Sequence, residues 1–197
     1  MTVQDLVHKL ISAKARRAGL KVCRDVKLSL GGKYFVAKTA EVVLNDKVWL
    51  AQDHQIEALA GSKIIIGSNV HFGKRVIIIA GPGASITIAE GCFFNHDISI
   101  TALSAIDIGR NSIFGPYTYI SDHNHQFASG MLIKEQGYDT QSLSVGSDVW
   151  LGVGVTLIKG ASVGDGSVIA ARAVVNKQIP DDEIWGGIPA KKIGDRD

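Results

Sequence analysis

The sequence predicts an all-β fold, a solenoid of stacked parallel coils with a short N-terminal helix and one extruded loop. Three observations predict it. Large apolar residues recur every six positions in sets of three: Ile66, Phe72, Ile78; Ile88, Phe94, Ile100; Ile108, Phe114, Ile120; Val145, Leu151, Leu157; and Val163, Ile169, Val175. Four positions after many of these stands a smaller residue, as at Val70, Val76, Cys92, Ser112, Thr118, Val149, Val155, Ser167 and Ala173. Glycine directly follows the large residue at Gly67, Gly73, Gly109, Gly115, Gly146, Gly152 and Gly164. A period of six matches neither the 3.6 of a helix nor the simple alternation of an isolated strand. It suits a short strand plus a turn, and three such units close one triangular coil that rises by about 4.8 Å, the strand spacing. An ordinary sandwich of short strands has no reason to keep such a register.

Taken in order, residues 1–30 read as a helical cap and lead-in. The stretch TVQDLVHKLISAKARRAG has Leu6, Leu10 and Ile11 on one side, opened by Thr2 with Asp5 three residues on. Its expected task is to shield the open first coil. Residues 31–177 carry the repeats, with Leu44, Leu50 and Ile56 as a weaker first set. Between the last large position of one set and the first of the next, the gaps are ten (78 to 88), eight (100 to 108), twenty-five (120 to 145) and six (157 to 163). A continuous coil needs six, so the excess is expected to leave at one corner, most of it as a long loop at 121–144. Residues 178–197 form a tail.

Composition narrows the function classes. The chain has 197 residues, 46% hydrophobic and 20% charged, with a formal charge of +2 and both signs interspersed. That field is too weak to argue for nucleic acid or an anionic membrane surface. Asp5, His8 and Lys9 interrupt what a signal peptide would need as an apolar run, and no stretch approaches the 18 or so residues of a membrane span, so a cytoplasmic protein is expected. Cys23 and Cys92 lie far apart without paired-cysteine spacing, which indicates neither a disulfide framework nor a thiolate metal site.

The long loop opens with YISDHNHQF, where Asp122, His123 and His125 break the aliphatic pattern. Long loops on a rigid scaffold are frequent carriers of function. Neutral imidazole is suited to take a proton near neutral pH, and such a base needs its second nitrogen held, by Asp122 or by a backbone carbonyl. His71, His96 and His123 recur at spacings of 25 and 27, which raises a metal site as a weaker alternative; no metal requirement is expected.

The hexad repeats, the Asp-His-x-His opening the loop, VWLGVGVTLIKGASVGDGSVIAARAVV and the closing NKQIPDDEIWGGIPAKKI together resemble the hexapeptide-repeat acetyltransferases, in particular those acting on sugars and polysaccharides. The resemblance covers roughly residues 44–193. It implies a left-handed coil, against the usual hand of parallel crossovers. It also implies acetyl-CoA as acyl donor, a saccharide acceptor, and a homotrimer with sites between subunits. By the same resemblance His123 is the general base, with His125 and Asp122 beside it, and Asn95 and His96 face the acceptor. Trp150, Val153, Ala171, Asn176, Lys177 and Lys191 match donor contacts, with Arg172 and Lys192 as neighbouring cations and Trp185 over the adenine. At Val153 the family often has a small or polar residue, so a side-chain hydrogen bond is lost there. O-acetylation leads. N-acetylation of an amino sugar or other acceptor, a non-catalytic scaffold, and the carbonic-anhydrase-like metal branch of this fold remain alternatives.

Overall fold

The computed structural model describes residues 3–197, and the side chains of residues 3–6 and 8 lie outside the description. The chain winds through three parallel sheets in strict rotation. The first sheet stacks Leu20–Val22, Glu41–Leu44, Lys63–Ile66, Ser85–Ile88, Ala105–Ile108, Leu143–Val145, Ser162–Val163 and Gln178–Ile179. The second stacks Lys27–Leu28, Trp49–Leu50, His71–Phe72, Phe93–Phe94, Ile113–Phe114, Trp150–Leu151, Val168–Ile169 and Glu183–Gly186, and ends on Lys191–Asp195, which pairs antiparallel. The third stacks Lys33–Val36, Gln55–Ala58, Ile77–Ala80, Ser99–Ala102, Tyr119–Ser121, Thr156–Leu157 and Val174–Val175.

All fifteen large hexad residues are buried, and so are the nine smaller ones. Register explains why: equivalent positions lie directly above one another, as Ile78 under Ile100 and Phe72 under Phe94. Side chains alternate faces along each strand, so a fixed offset keeps one column of the prism apolar from end to end. The core thus contains continuous ladders, among them Phe72, Phe94 and Phe114 with ring centroids 4.7 and 4.2 Å apart.

The glycines after the large residues answer to close approach between coils. A Cβ on Gly67 would lie 2.6 Å from the Ala89 carbonyl carbon, and one on Gly109 would lie 2.5 Å from that of Gly146. The left-handed backbone of the corners falls elsewhere, two residues further on, at Asn69, Asn111 and Asp148 on one corner and at Arg75, Asp97 and Tyr117 on the next. Asn and Asp tolerate that conformation best, which accounts for their recurrence there.

The gap residues of the early coils do not leave the solenoid. They lengthen two sides of it: Ala80, Ala84 and Ile86 are buried, and strands Ile77–Ala80 and Ser85–Ile88 each run to four residues. The sequence IIIAGPGASITI supplies inward apolar residues at alternate positions, so widening the prism buries more than extruding a loop would. Only the largest gap is extruded, and it forms an antiparallel hairpin in which His123, Asn124 and His125 face Thr140, Asp139 and Tyr138.

The parallel ladder also runs beyond residues 31–177. Leu20–Val22 pairs with Glu41–Leu44, and at the other end Gln178–Ile179 and Glu183–Gly186 continue the first and second sheets. The terminal segments carry weaker hexads because one of their sides meets a cap instead of another coil. The helix Val3–Arg17 lies on the first strands through Ile11 and the fully buried Ala15, with Lys14 Nζ donating to the Gly32 carbonyl at 3.1 Å. Leu10 points away and is 63% exposed. Thr2 lies outside the described residues, as do the side chains of Asp5 and Leu6.

His54 is the one histidine in the core among the described residues, where Nδ1 donates to the Ala51 carbonyl and Nε2 accepts from Tyr34 Oη, both at 2.7 Å. Burial lowers its pKa from the usual 6.5 and pushes the Tyr34 phenol up to about 12. The folded state therefore holds fewer protons than the unfolded chain just below pH 6.5. The stability from neutral His54 is full above that pH and is lost as pH falls. The urea midpoint is expected to drop between pH 7.5 and 5, and His54→Gln to flatten that dependence. An equal slope in both proteins would remove His54 as the cause.

Candidate active site

The hairpin leaves the coil at the corner between the third and first sheets. Asp122, the residue that makes the exit, is fully buried, and its two carboxylate oxygens accept backbone N–H bonds from Leu103 (2.8 Å) and Ser104 (2.7 Å) of the coil below. Its own carbonyl accepts from Gln141 N–H across the hairpin root. His123 Nδ1 lies 3.0 Å from Asp122 Oδ1 and 3.2 Å from Ser121 Oγ. The hydrogen-bond network assigns the proton to Nδ1, facing the carboxylate, and leaves Nε2 as the open lone pair. The side chain of His123 is 15% exposed, enough for one edge of the ring to meet a reactant.

Tyr138, from the opposite strand, packs edge-on against His123 at 5.4 Å and tilted against His125 at 4.6 Å. It thereby holds both rings, a role that sequence reasoning missed because the hairpin register had no signal. His125 lines a cleft of about 430 Å³ beside the hairpin with Asn124, Gln126, Phe127, Ala128, Asp139 and Lys159. Lys159, one coil up, is ion-paired to Asp139 and ties the hairpin to the solenoid. His123 does not line that cleft, although Tyr138 touches both rings.

Most of the remaining predicted residues fall into two groups. Asn176 and Lys177 share the corner of Asp122, two coils further on, whereas Asn95, His96, Val153 and Ala171 occupy the corner between the second and third sheets. The two corners are the opposite edges of the third sheet, separated by a strand such as Ser99–Ala102, about 13 Å. Trp150 lies on the outer face of the second sheet, 55% exposed. Lys191 begins the final strand.

Among the cations near the C-terminal end, Lys192 is bound to Glu183 (2.8 Å) and Asp195 (2.6 Å). No carboxylate pairs with Lys177, Lys191 or Arg172 among the described residues, and Lys177 Nζ sits 5.7 Å from the ring centre of Trp185. Trp185 donates to Glu183 at 2.7 Å and packs against the core, which holds it in place at the end of the solenoid. His71, His96 and His123 do not converge. His71 is on the outer face of the second sheet between Trp49 and Phe93, and the others are on separate corners. No helix among the described residues is long and apolar enough to cross a membrane.

No family model matches the chain. Its sequence is 30% identical over 164 residues to a Mycobacterium tuberculosis protein named as a probable acetyltransferase, covering 82% of this chain and 54% of that one. It is 29% identical over 134 residues to the galactoside O-acetyltransferase of Lactococcus lactis, covering 66% and 56%. The chain thus spans little more than half the length of either relative. Among solved structures, a hexapeptide-repeat acetyltransferase of Vibrio cholerae in complex with acetyl coenzyme A superposes with a TM-score of 0.53 at 17% identity, covering 100% of this chain and 80% of that one. The solenoid is therefore a left-handed parallel β-helix of the hexapeptide-repeat type. Its sequence is similar to proteins named as acetyltransferases, and its fold is the one on which the Vibrio cholerae acetyltransferase is built.

Proposed function

We propose that the protein transfers an acetyl group from acetyl-CoA to a hydroxyl of a sugar or polysaccharide precursor, with His123 as general base. The observation that carries this reading is the His123 Nδ1 contact with a buried carboxylate, itself fixed by two backbone donors. A hydroxyl is a weak nucleophile and a thioester is already activated, so the chief need is a base at the attacking oxygen. His123 Nε2 takes the hydroxyl proton as the oxygen attacks the thioester carbonyl, Asp122 stabilises the imidazolium, and the proton passes to the departing thiolate. An acetyl ester and free coenzyme A result. The kinship with a galactoside O-acetyltransferase supports a saccharide hydroxyl as acceptor.

Lys177, Lys191 and Arg172 suit the phosphates of the donor, being exposed and free of carboxylate partners among the described residues. Val153, Ala171, Trp150 and Asn176 would flank its extended arm. Because these groups and Asn95 and His96 are divided between two edges of one sheet, a complete site needs the edge of one copy against the opposite edge of another. Such a heterologous contact closes into a ring, and a homotrimer is the assembly proposed. The cytoplasm, where acetyl-CoA is at hand, is the proposed location.

Calorimetric titration with acetyl-CoA tests the donor half, and acetyl transfer to methyl galactoside tests the acceptor half. One donor per chain is expected. Lys177→Ala and Lys191→Ala should each weaken donor binding by roughly tenfold, the worth of one charge-assisted contact. Absence of donor binding in the wild type would refute the enzyme reading.

A further inference from the structure

The outer face of the second sheet carries aromatic rings away from the histidine-bearing hairpin. Trp49, His71 and Phe93 occupy equivalent positions on successive coils, with ring centroids 4.2 and 4.9 Å apart. Trp49, the lowest of the three, is 43% exposed. Beside it opens a cavity of about 500 Å³ whose walls include Asp25, Lys27, Lys47, Asn69 and His71. Lys27 lies directly below Trp49 in the strand ladder. Asp25, Lys47 and Asn69 stand one above another on the corner between the first and second sheets, and each has left-handed backbone, so their side chains leave that corner in parallel.

Among the described residues, the side chains of Asp25, Lys27, Lys47 and Asn69 make no hydrogen bond or ion pair. Charges around them do pair between coils: Arg24 with Asp46 (2.7 Å), Lys63 with Glu41 (3.4 Å) and Arg75 with Asp97 (2.6 Å). One exposed lysine or tryptophan is ordinary on a protein surface. Here two ammonium groups, a carboxylate, an amide and an indole converge on one concavity. Lys47, moreover, holds left-handed backbone where the same corner has Asp25, Asn69, Asn111 and Asp148, residue types that adopt it more readily. Aromatic faces flanked by such groups suit a pyranose, whose ring C–H groups lie on the π-face while its hydroxyls meet the amide and the carboxylate. Burial lowers the pKa of His71, which therefore adds a neutral ring and no third cation at neutral pH. Two ammonium groups against one carboxylate leave the cavity positive, so the sugar that fits it best carries an acidic group.

We propose that this cavity and the aromatic ladder above it form an accessory binding site for an acidic glycan chain. One pyranose lies on Trp49, its anionic group between Lys27 and Lys47, and its hydroxyls meet Asn69 and Asp25. The ladder climbs by about 4.8 Å per ring, comparable to the advance per unit of an extended glycan. Three coils above Trp49, Ile113 stands on the coil from which the hairpin leaves. That the bound chain is also the acetyl acceptor rests on the sugar-acetylating reading above, whereas the binding itself does not. Holding one part of the chain here raises the local concentration of its other units at His123. The corner lies opposite the third sheet, whose two edges make the proposed contact between copies, so the cavity stays open in that assembly.

Calorimetric titration of the full-length protein, without acetyl-CoA, tests the site with hexagalacturonate, hexamannuronate, neutral maltohexaose, inorganic phosphate and UDP. At least one acidic hexamer is expected to bind saturably, and more tightly than any of the other three probes. Lys27→Ala and Lys47→Ala should each weaken that binding by roughly tenfold. Trp49→Ser should abolish it and Trp49→Phe restore part of it, with the urea midpoint of both variants close to that of the wild type because the side chain is on the surface. His123→Ala should bind the hexamer as the wild type does. Absence of binding by both acidic hexamers would overturn the proposal, as would binding that Trp49→Ser leaves unchanged. Tighter binding of phosphate or UDP would do the same, by assigning a simple anion or a nucleotide to the cavity. So would a smaller sedimentation coefficient for Trp49→Ser, since the face would then be a contact between copies. A wild type that binds an acidic hexamer but not acetyl-CoA would count against the acetyl-transfer reading alone, with the glycan site upheld.

Discussion

Replacing His123 by alanine is expected to lower the rate of acetyl transfer by about two to four orders of magnitude, the usual worth of a positioned general base, while acetyl-CoA binding stays within a factor of about two. The asymmetry follows from the geometry. The ring touches Asp122, Ser121 and Tyr138, all within the hairpin root, and in the proposed role its free nitrogen acts on a proton that moves only as the transition state forms. Asp122→Asn separates two roles of the carboxylate. Its amide can still accept one of the two backbone bonds, but it loses the negative charge beneath the imidazolium, so a large loss of turnover in a folded protein is expected. Parallel titration and single-turnover assays check both variants. If His123→Ala weakened donor binding and spared turnover, its assignment as base would be wrong.

The largest stability effect is expected from Phe94→Ala, about 3–5 kcal/mol in urea unfolding. Phe94 has no exposed surface and stacks between Phe72 and Phe114 with interplanar angles of 19° and 9°. Truncation leaves a void that the neighbouring coils cannot fill, because the backbone contacts between Gly73 and Asn95 and between Gly115 and Gly152 already fix their spacing. Each coil touches only the next, so the void interrupts the one path by which the two halves stabilise each other. Ile113, on the outer face and 50% exposed, is the control: Ile113→Ser should change stability by no more than about 0.5 kcal/mol. A loss below about 1 kcal/mol for Phe94→Ala would mean that the phenylalanine ladder contributes little to the core.

The core was legible because a repeating coil forces the same physical demand on the same phase of the sequence. Ile66, Phe72 and Ile78 could be assigned inward before any contact was known. Asp122 and His123 were legible for the opposite reason: they stand where the phase is lost. The widened early coils were not, because Ala80 and Ile86 obey a period of two that the count of six passes over. Nor was Tyr138, since nothing local fixes the register of a hairpin whose two strands lie twelve residues apart or more. The Arg75–Asp97 pair had a signal that went unused. Its members are separated by 22 residues, the same step as Phe72 to Phe94, and once one coil length is known, opposite charges at that distance can be expected to meet.

The two ends of the solenoid bear on how copies can associate. A stack of parallel strands that stopped abruptly would offer unpaired backbone to the end of the next molecule, and the association would extend without limit into a filament. Here the helix Val3–Arg17 lies on the first coil, and at the far end Lys191–Asp195 turns back antiparallel across Glu183–Gly186. The second sheet therefore presents a parallel template at neither end. Growth along the axis through that sheet is blocked, which favours contact between copies on the long flanks of the prism, where the histidine-bearing edges are.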